Sequence, residues 1–230
     1  MKKILVTGGE GRFASYLKKV KSNFKFIFLS KEKLDILKNL SIIKAIKKYK
    51  PWAILHLAGL SRPMNIHEKE LVRSINLNII GTCNIVNACI KRKIKIIYFS
   101  TSYLYPGNKG NYKETDALLP WNNYGWSKLG GESAVQMYKN SLILRACMTE
   151  KPFIHKKAYA NVKSNFIFHD QFVNLFLKLI DKKGIYNIGG KQQTIYKFAK
   201  ESNKNIKKKF SKGEFPLLQN MNLNKLKNSL

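Results

Sequence analysis

The stretch Lys3-Ile4-Leu5-Val6-Thr7-Gly8-Gly9-Glu10-Gly11-Arg12-Phe13-Ala14 decides the fold. A short β-branched run passes straight into three glycines, and beyond them Phe13, Leu17 and Val20 recur at helical spacing. The order is strand, glycine turn, helix. Gly8 permits a tight turn, Gly11 lets the backbone approach a pyrophosphate, and Ala14 lets the helix pack closely on the strand. An anion seated there meets amide N–H groups at the positive end of a helix. A plain strand-to-helix turn also uses glycine, but a turn that follows the first strand and precedes an apolar-periodic helix favours dinucleotide binding.

Working outward, residues 24–29, 52–57 and 95–100 read as further strands and 40–49 as a helix, with Ile42, Ile43 and Ile46 on one face. A long helical region is predicted over 66–93, where Leu71, Ile75, Ile79, Cys83, Val86 and Ile90 recur every three or four residues. The strand at 95–100 is apolar throughout, which marks a strand covered on both faces. Successive β-then-α units imply an α/β chain with a doubly wound parallel sheet. Residues 107–123, rich in Gly, Asn and Pro, form a long loop at the carboxyl edge of that sheet, where ligands bind. Helices follow at 124–138, 170–181 and 194–201, and strands at 141–145 and 184–188. Residues 151–164 show no period. The basic tail from Ser202 is weakly periodic and is expected to pack loosely.

The chain has 230 residues, 44% of them apolar and 12% aromatic, enough to bury a core without disulfides. Lys and Arg number 43 against 13 acids, a net charge of +30. The lysines run along the whole chain, which favours a compositional bias over one polyanion-binding face; the excess still attracts anionic ligands in a salt-dependent way. No nucleic-acid recognition module or basic stripe interleaved with aromatics is found, so specific nucleic-acid binding is not expected. Cys83, Cys89 and Cys147 form no even framework, which suits a reducing cytoplasm. Met1-Lys2-Lys3 is followed by only Ile4, Leu5 and Val6, too short for a signal-peptide core, and no apolar run approaches the roughly 20 residues of a membrane span. A soluble cytoplasmic protein without a membrane partner is expected. His56, His67, His155 and His169 lack metal-ligand spacing, no metal site is expected, and His56 reads as structural.

Four further places carry chemistry. The second strand ends Leu29-Ser30-Lys31, with a base where an acid would hold a ribose 2′-hydroxyl; this favours NADPH over NADH, although Lys31 also reads as one more solvated charge. Asp35 suits either the adenine amino group or a helix cap. Tyr124-Gly125-Trp126-Ser127-Lys128 puts a phenol and an ammonium one helical turn apart. A free phenol has a pKa of roughly 10, and an adjacent cation brings it toward working pH. The fourth strand leaves through Ser100-Thr101-Ser102-Tyr103, whose hydroxyls could donate to a carbonyl oxygen. Arg62, after the third strand, suits a substrate diphosphate or a solvated loop equally well.

Taken together, Thr7 to Ala14, His56-Leu57-Ala58-Gly59, Asn76 with Gly81-Thr82, Ser100 to Gly107 and Tyr124 to Lys128 resemble an extended short-chain dehydrogenase/reductase. The similarity is greatest to the dTDP-4-dehydrorhamnose reductase branch, whose relatives include sugar-nucleotide epimerases and dehydratases. Leu29 to Asp35, Lys113 to Asp116, Gly184 to Gly190 and Asn222 to Leu226 resemble further segments of that branch. The resemblance implies a Rossmann domain over 1–145, including the Tyr/Lys helix, and a small, shortened substrate lobe with the closing strand and helices over 146–230. It implies hydride transfer from NADPH, with NAD as the other candidate, to C4 of a nucleotide-activated keto-deoxy sugar. Tyr124 would supply the proton, Lys128 would hold the nicotinamide ribose, and Thr101 would hydrogen-bond the ketone oxygen. The cofactor would lie against Gly8, Gly11, Arg12 and Phe13, then against Ser30, Lys31, Asp35 and Ile36, and then against Ala58, Gly59 and Asn76. Ser102, Tyr103 and Met148 would face the substrate with Arg62. The assembly implied admits a homodimer.

Three departures lie on the substrate side: Ser102 stands where the branch has Asp, Met148 where an aromatic residue often contacts the sugar, and residues 145–170 are short. Two rival functions stay open. One is a 4-epimerase or dehydratase that recycles bound NAD; the other is a non-catalytic regulatory subunit that binds a dinucleotide as a structural ligand.

Overall fold

The computed structural model describes residues 1–230. The chain begins with β1 (Lys3–Thr7), α1 (Arg12–Leu17), β2 (Lys25–Phe28), α2 (Asn39–Tyr49) and β3 (Ala53–His56). The next elements are α3 (Ile66–Lys69), α4 (Leu71–Ile75), a π-helical turn (Asn76–Ile80), α5 (Gly81–Arg92) and β4 (Lys95–Thr101). After a loop come α6 (Asn123–Gln136), β5 (Ser141–Ala146), β6 (Met148–Thr149), β7 (Lys157–Tyr159), β8 (Lys163–Ser164) and β9 (Ile167–Phe168). The chain ends with α7 (His169–Leu179), β10 (Gly184–Ile188), β11 (Gln193–Thr194), α8 (Ile195–Lys200), β12 (Lys207–Lys209) and α9 (Asn224–Lys227).

Every residue of β3, β4 and β5 is buried, as unalternating apolar strands require when both sheet faces are covered. The doubly wound parallel sheet has six strands in the order β10-β5-β4-β3-β1-β2. β1 lies parallel to both β2 and β3, with Val6 opposite Phe28 and Leu55. The chain therefore leaves β1 toward one edge, returns through α2, and continues toward the other. The strand order reverses between β1 and β3, and that reversal opens a crevice at the carboxyl ends of the strands.

The chain divides into two compact units. The first contains residues 1–100, 122–144 and 180–185; the second contains 101–121, 145–179 and 186–230. The first unit's core joins Leu5, Ile54 and Ile96 of the sheet to Ile42 and Ile46 of α2 and to Ile85 and Cys89 of α5. In the second unit Phe153, Val162, Phe168 and Phe198 form one cluster, and Tyr105, Tyr112, Cys147 and Met221 another. Arg145 is fully buried there and donates to Tyr105 Oη at 2.8 Å and to the Glu114 carbonyl at 3.0 Å.

Two expectations are corrected. The helical region at 66–93 is broken at Glu70 (φ −122°, ψ 58°) and widened into a π turn from Asn76. The extra residue in that turn rotates the buried face. Ser74, Asn78, Thr82, Ile85 and Cys89 consequently face inward, while Leu71 (49%), Ile75 (39%) and Ile90 (45%) are exposed. The tail from Ser202 is not loose. β12 pairs parallel with β7, and the backbone of Leu217 to Asn222 bonds to Lys163 and Tyr112. Gln219, Asn220, Met221 and Leu226 are buried. Backbone pairing of this kind needs no side-chain period, so the sequence does not announce it.

No helix is long and apolar enough to cross a membrane.

Candidate functional site

At the crevice between β1 and β3 the backbones come unusually close. Gly8 has φ +64°, a left-handed conformation, and a Cβ there would lie 2.9 Å from Ala58 N and Cα. At Gly9 a Cβ would lie 2.7 Å from Leu29 N, and at Gly11 it would lie 3.1 Å from the Gly8 carbonyl oxygen. The turn is thus bare backbone pressed between the ends of β2 and β3, and no side chain caps the start of α1. Amides without a capping side chain at a helix start suit an anionic group. Arg12 is exposed beside it and donates to Ser61 Oγ at 3.0 Å. Phe13 is buried edge-on against Phe99, with centroids 4.8 Å apart, and Ala14 is buried against the strand. These residues fit a dinucleotide pyrophosphate.

A buried line of hydrogen bonds runs from this turn to α6. Thr7 Oγ1 accepts from the amides of Leu57 and Ala58 at 3.1 Å each, so its own proton goes to His56 Nδ1 at 2.8 Å. That fixes the tautomer: Nε2–H of His56 donates to Thr82 Oγ1 at 3.1 Å, and Thr82 donates to the Asn78 carbonyl at 2.8 Å. Burial holds the His56 imidazole down to about 3, in keeping with this neutral ring. Asn78 Oδ1 accepts from Leu60 N at 2.7 Å, and its amide group donates to Leu60 O at 2.9 Å and to Ser127 Oγ at 2.8 Å. Ser127 completes the line by donating to the Tyr124 carbonyl at 2.8 Å. The structural reading of His56 holds, with the addition that it is the middle of this relay.

Asn122 starts α6, its side chain accepting from Gly125 N at 2.8 Å. Tyr124, Lys128 and Glu132 then fall at four-residue spacing on one face. Lys128 Nζ lies 4.0 Å from the Tyr98 ring centroid, and its backbone carbonyl accepts from Tyr98 Oη at 3.3 Å. Burial pulls the Lys128 ammonium down to about 7, with the Glu132 carboxylate acting in the opposite direction.

The sequence-predicted cofactor residues fall in several settings. Ala58 lies against Gly8, and a Cβ on Gly59 would meet Asn78 Oδ1 at 2.8 Å. Lys31 is exposed, next to a Glu32 carboxylate that the Ser30 side chain holds below its usual range. The structure thus puts an acid beside the base on which the NADPH preference rests. Asp35 Oδ1 accepts from Leu37 N at 3.0 Å, a local turn rather than the cap of α2. Ile36 buries its side chain in the core against Gly81, and its carbonyl accepts from the Asn84 side-chain amide at 3.0 Å. Asn76 is half-buried at the head of the π turn. The residue missed is Asn78, and its signal was the spacing Asn78-x-x-Gly81-Thr82.

Arg62 is half-buried in the first unit. Thr101, Ser102, Tyr103 and Met148 belong to the second unit. There Thr101 Oγ1 accepts from Tyr103 N at 3.3 Å, and the fully buried Ser102 hydroxyl meets no partner. The Tyr103 ring lies 5.1 Å from Trp121 and 5.6 Å from Phe215, and Met148 pairs with Ile167.

The chain is similar to known proteins. A dTDP-4-dehydrorhamnose reductase of Aggregatibacter actinomycetemcomitans is 30% identical over 154 residues, 65% of this chain and 52% of that protein. The methionine adenosyltransferase 2 subunit beta of Xenopus laevis is 30% identical over 115 residues, 50% of this chain and 34% of that one. The chain thus spans about half the length of the first of these relatives and a third of the second. The crystal structure of a Bacillus anthracis dTDP-4-dehydrorhamnose reductase in complex with NADP superposes with a TM-score of 0.87, covering 99% of this chain and 92% of that one at 22% identity, which carries the fold. Residues 1–152, from the glycine turn through the Tyr124–Lys128 helix, match the RmlD substrate binding domain, and the chain belongs to that family.

Proposed function

We propose that the chain is an NADPH-dependent reductase of a nucleotide-activated 4-keto-6-deoxy sugar. The observation that carries the reading is the hydrogen-bonded line from Thr7 through His56, Thr82 and Asn78 to Ser127 and Tyr124, which ties the glycine turn to the phenol-bearing helix within one unit. A nicotinamide dinucleotide, when bound, supplies the hydride. Gly8, Gly11 and the start of α1 would hold its pyrophosphate, and Lys31 supports the phosphorylated form. Tyr124 Oη gives its proton to the ketone oxygen as that oxygen becomes an alkoxide. Lys128 in its charged form stabilises the phenolate left behind.

NADPH oxidation against a panel of nucleotide 4-keto-6-deoxy sugars tests this. At least one is expected to turn over, with Tyr124→Phe reducing kcat about 10²- to 10⁴-fold; activity untouched by that change would rule out the proposed acid. A second reading, a dinucleotide-binding regulatory subunit, is supported by the match to a methionine adenosyltransferase 2 subunit beta and by Ser102, which stands where the reductase branch has Asp. It expects NADPH binding without turnover of any sugar.

A further inference from the structure

His67 is completely buried in α3, and neither the glycine turn nor the Tyr124–Lys128 pair accounts for it. Its Nδ1 lies 2.7 Å from Ser74 Oγ on α4, which fixes the ring. Its Nε2 is buried with no hydrogen-bond partner; the Ser61 backbone approaches closely enough to favour a charged ring without forming a bond of normal geometry. The imidazole packs on Tyr124, with ring centroids 5.0 Å apart and planes inclined at 57°. The next residue, Glu68, accepts from both the side chain and the backbone N–H of Asn123. One short turn of helix therefore grips the first two residues of α6.

A buried nitrogen without a hydrogen bond of normal geometry is unfavourable, so the ring is held in place by Ser74 and by its packing on Tyr124 rather than through Nε2. Burial, reinforced by the Lys128 charge, holds the imidazole below its usual range against the opposing pull of Ser61 and Glu68, so a neutral ring faces the phenol.

We propose that His67 is a positioning residue for Tyr124: pinned through Nδ1 to Ser74, its ring is the wall that holds the phenol in the orientation from which its hydroxyl gives up a proton. This rests on the reading of Tyr124 as proton donor. The test compares the full chain with His67→Ala and His67→Phe by three readouts. These are NADPH affinity from dinucleotide fluorescence, kcat and KM on the sugar panel, and the ionisation midpoint of Tyr124, isolated by subtracting the near-ultraviolet titration of the matching Tyr124→Phe variant. His67→Ala is expected to leave NADPH affinity and sugar KM within about threefold, lower kcat about 10- to 100-fold, and shift the Tyr124 midpoint. His67→Phe, which keeps a ring against the phenol, is expected to recover kcat to within about fivefold of wild type. A His67→Ala kcat within twofold of wild type, or a His67→Phe as slow as His67→Ala, overturns the proposal. If wild type turns over no sugar, the reductase reading falls, and the Tyr124 midpoint alone decides: a shift in His67→Ala supports the role and an unmoved midpoint overturns it. Should His67→Ala fail to fold, Ser74→Ala, which frees Nδ1 and retains the ring, is expected to keep kcat within the same fivefold as His67→Phe and to shift the Tyr124 midpoint; an unmoved midpoint overturns the proposal.

Discussion

Lys128 combines two demands that conflict in the ligand-free chain: its charge is wanted beside the phenol, yet its burial pulls its titration down to about 7. The proposed mechanism needs protonated Lys128 and protonated Tyr124 together, so on it kcat/KM, which reports the free enzyme, is expected to fall as pH rises above about 7. A flat profile from pH 6 to 9 would contradict this. Stability carries the same signature. An unfolded lysine binds its proton below the ordinary 10.5, while the folded one binds it only below about 7, so stability rises with pH across that window and the penalty is complete below it. Denaturant titrations should show a slope of at most about 1.4 kcal/mol per pH unit that disappears in Lys128→Met. Subtracting the variant also removes Lys95, which burial lowers to about 8 and which acts in the same direction. Gly8 is the other residue at which one atom decides. Gly8→Ala forces a left-handed alanine against Ala58, and is expected to cost about 1–3 kcal/mol and weaken NADPH binding together. The spacing of Tyr124 and Lys128 and the glycines were legible in the sequence because each is a local pattern. The partners of Thr7 and His56 were not, because a hydrogen bond across 49 residues leaves no local mark.

At the scale of elements, the α4–π–α5 run shows where periodicity misleads. Counting at 3.6 residues per turn put Leu71, Ile75 and Ile90 inward, but the break at Glu70 and the π turn move Asn78 and Thr82 into that position. Asn78 is then the fastening between the loop after β3 and α6. Asn78→Ala leaves the Leu60 amide and carbonyl and the Ser127 hydroxyl without their partner, so a loss of about 2 kcal/mol or more is expected in chemical denaturation. Asn76→Ala, at a half-buried position two residues earlier, should change stability by less than about 0.5 kcal/mol. Equal effects would mean that the fastening is not where the hydrogen bonds place it. The six strands of the central sheet were read to within a residue or two, because apolar runs mark them, whereas the two- and three-residue strands β6 to β9, β11 and β12 were not, because they are too short to carry a pattern. The basic tail was misread, because its order comes from backbone bonds to Lys163 and Tyr112.

Across the whole molecule the +30 charge acts as a background field rather than as a site. Dinucleotide affinity is therefore expected to weaken as salt rises, and an affinity indifferent to salt would mean that the field plays no part. The doubly wound sheet followed from the order of strands and helices, whereas the substrate did not, because Ser102 and Met148, which the family resemblance turns toward it, depart from the family pattern. Deuterium transfer separates the competing functions in one experiment. The chain is incubated with NADPH carrying deuterium at the transferable position and a nucleotide 4-keto-6-deoxy sugar, and the sugar is then examined by mass spectrometry and NMR. We predict one deuterium on the former ketone carbon for each NADPH consumed, and none with Tyr124→Phe. A sugar that changes while NADPH remains intact would make the chain an epimerase or dehydratase, and NADPH that binds while every sugar stays unchanged would leave it a regulatory subunit.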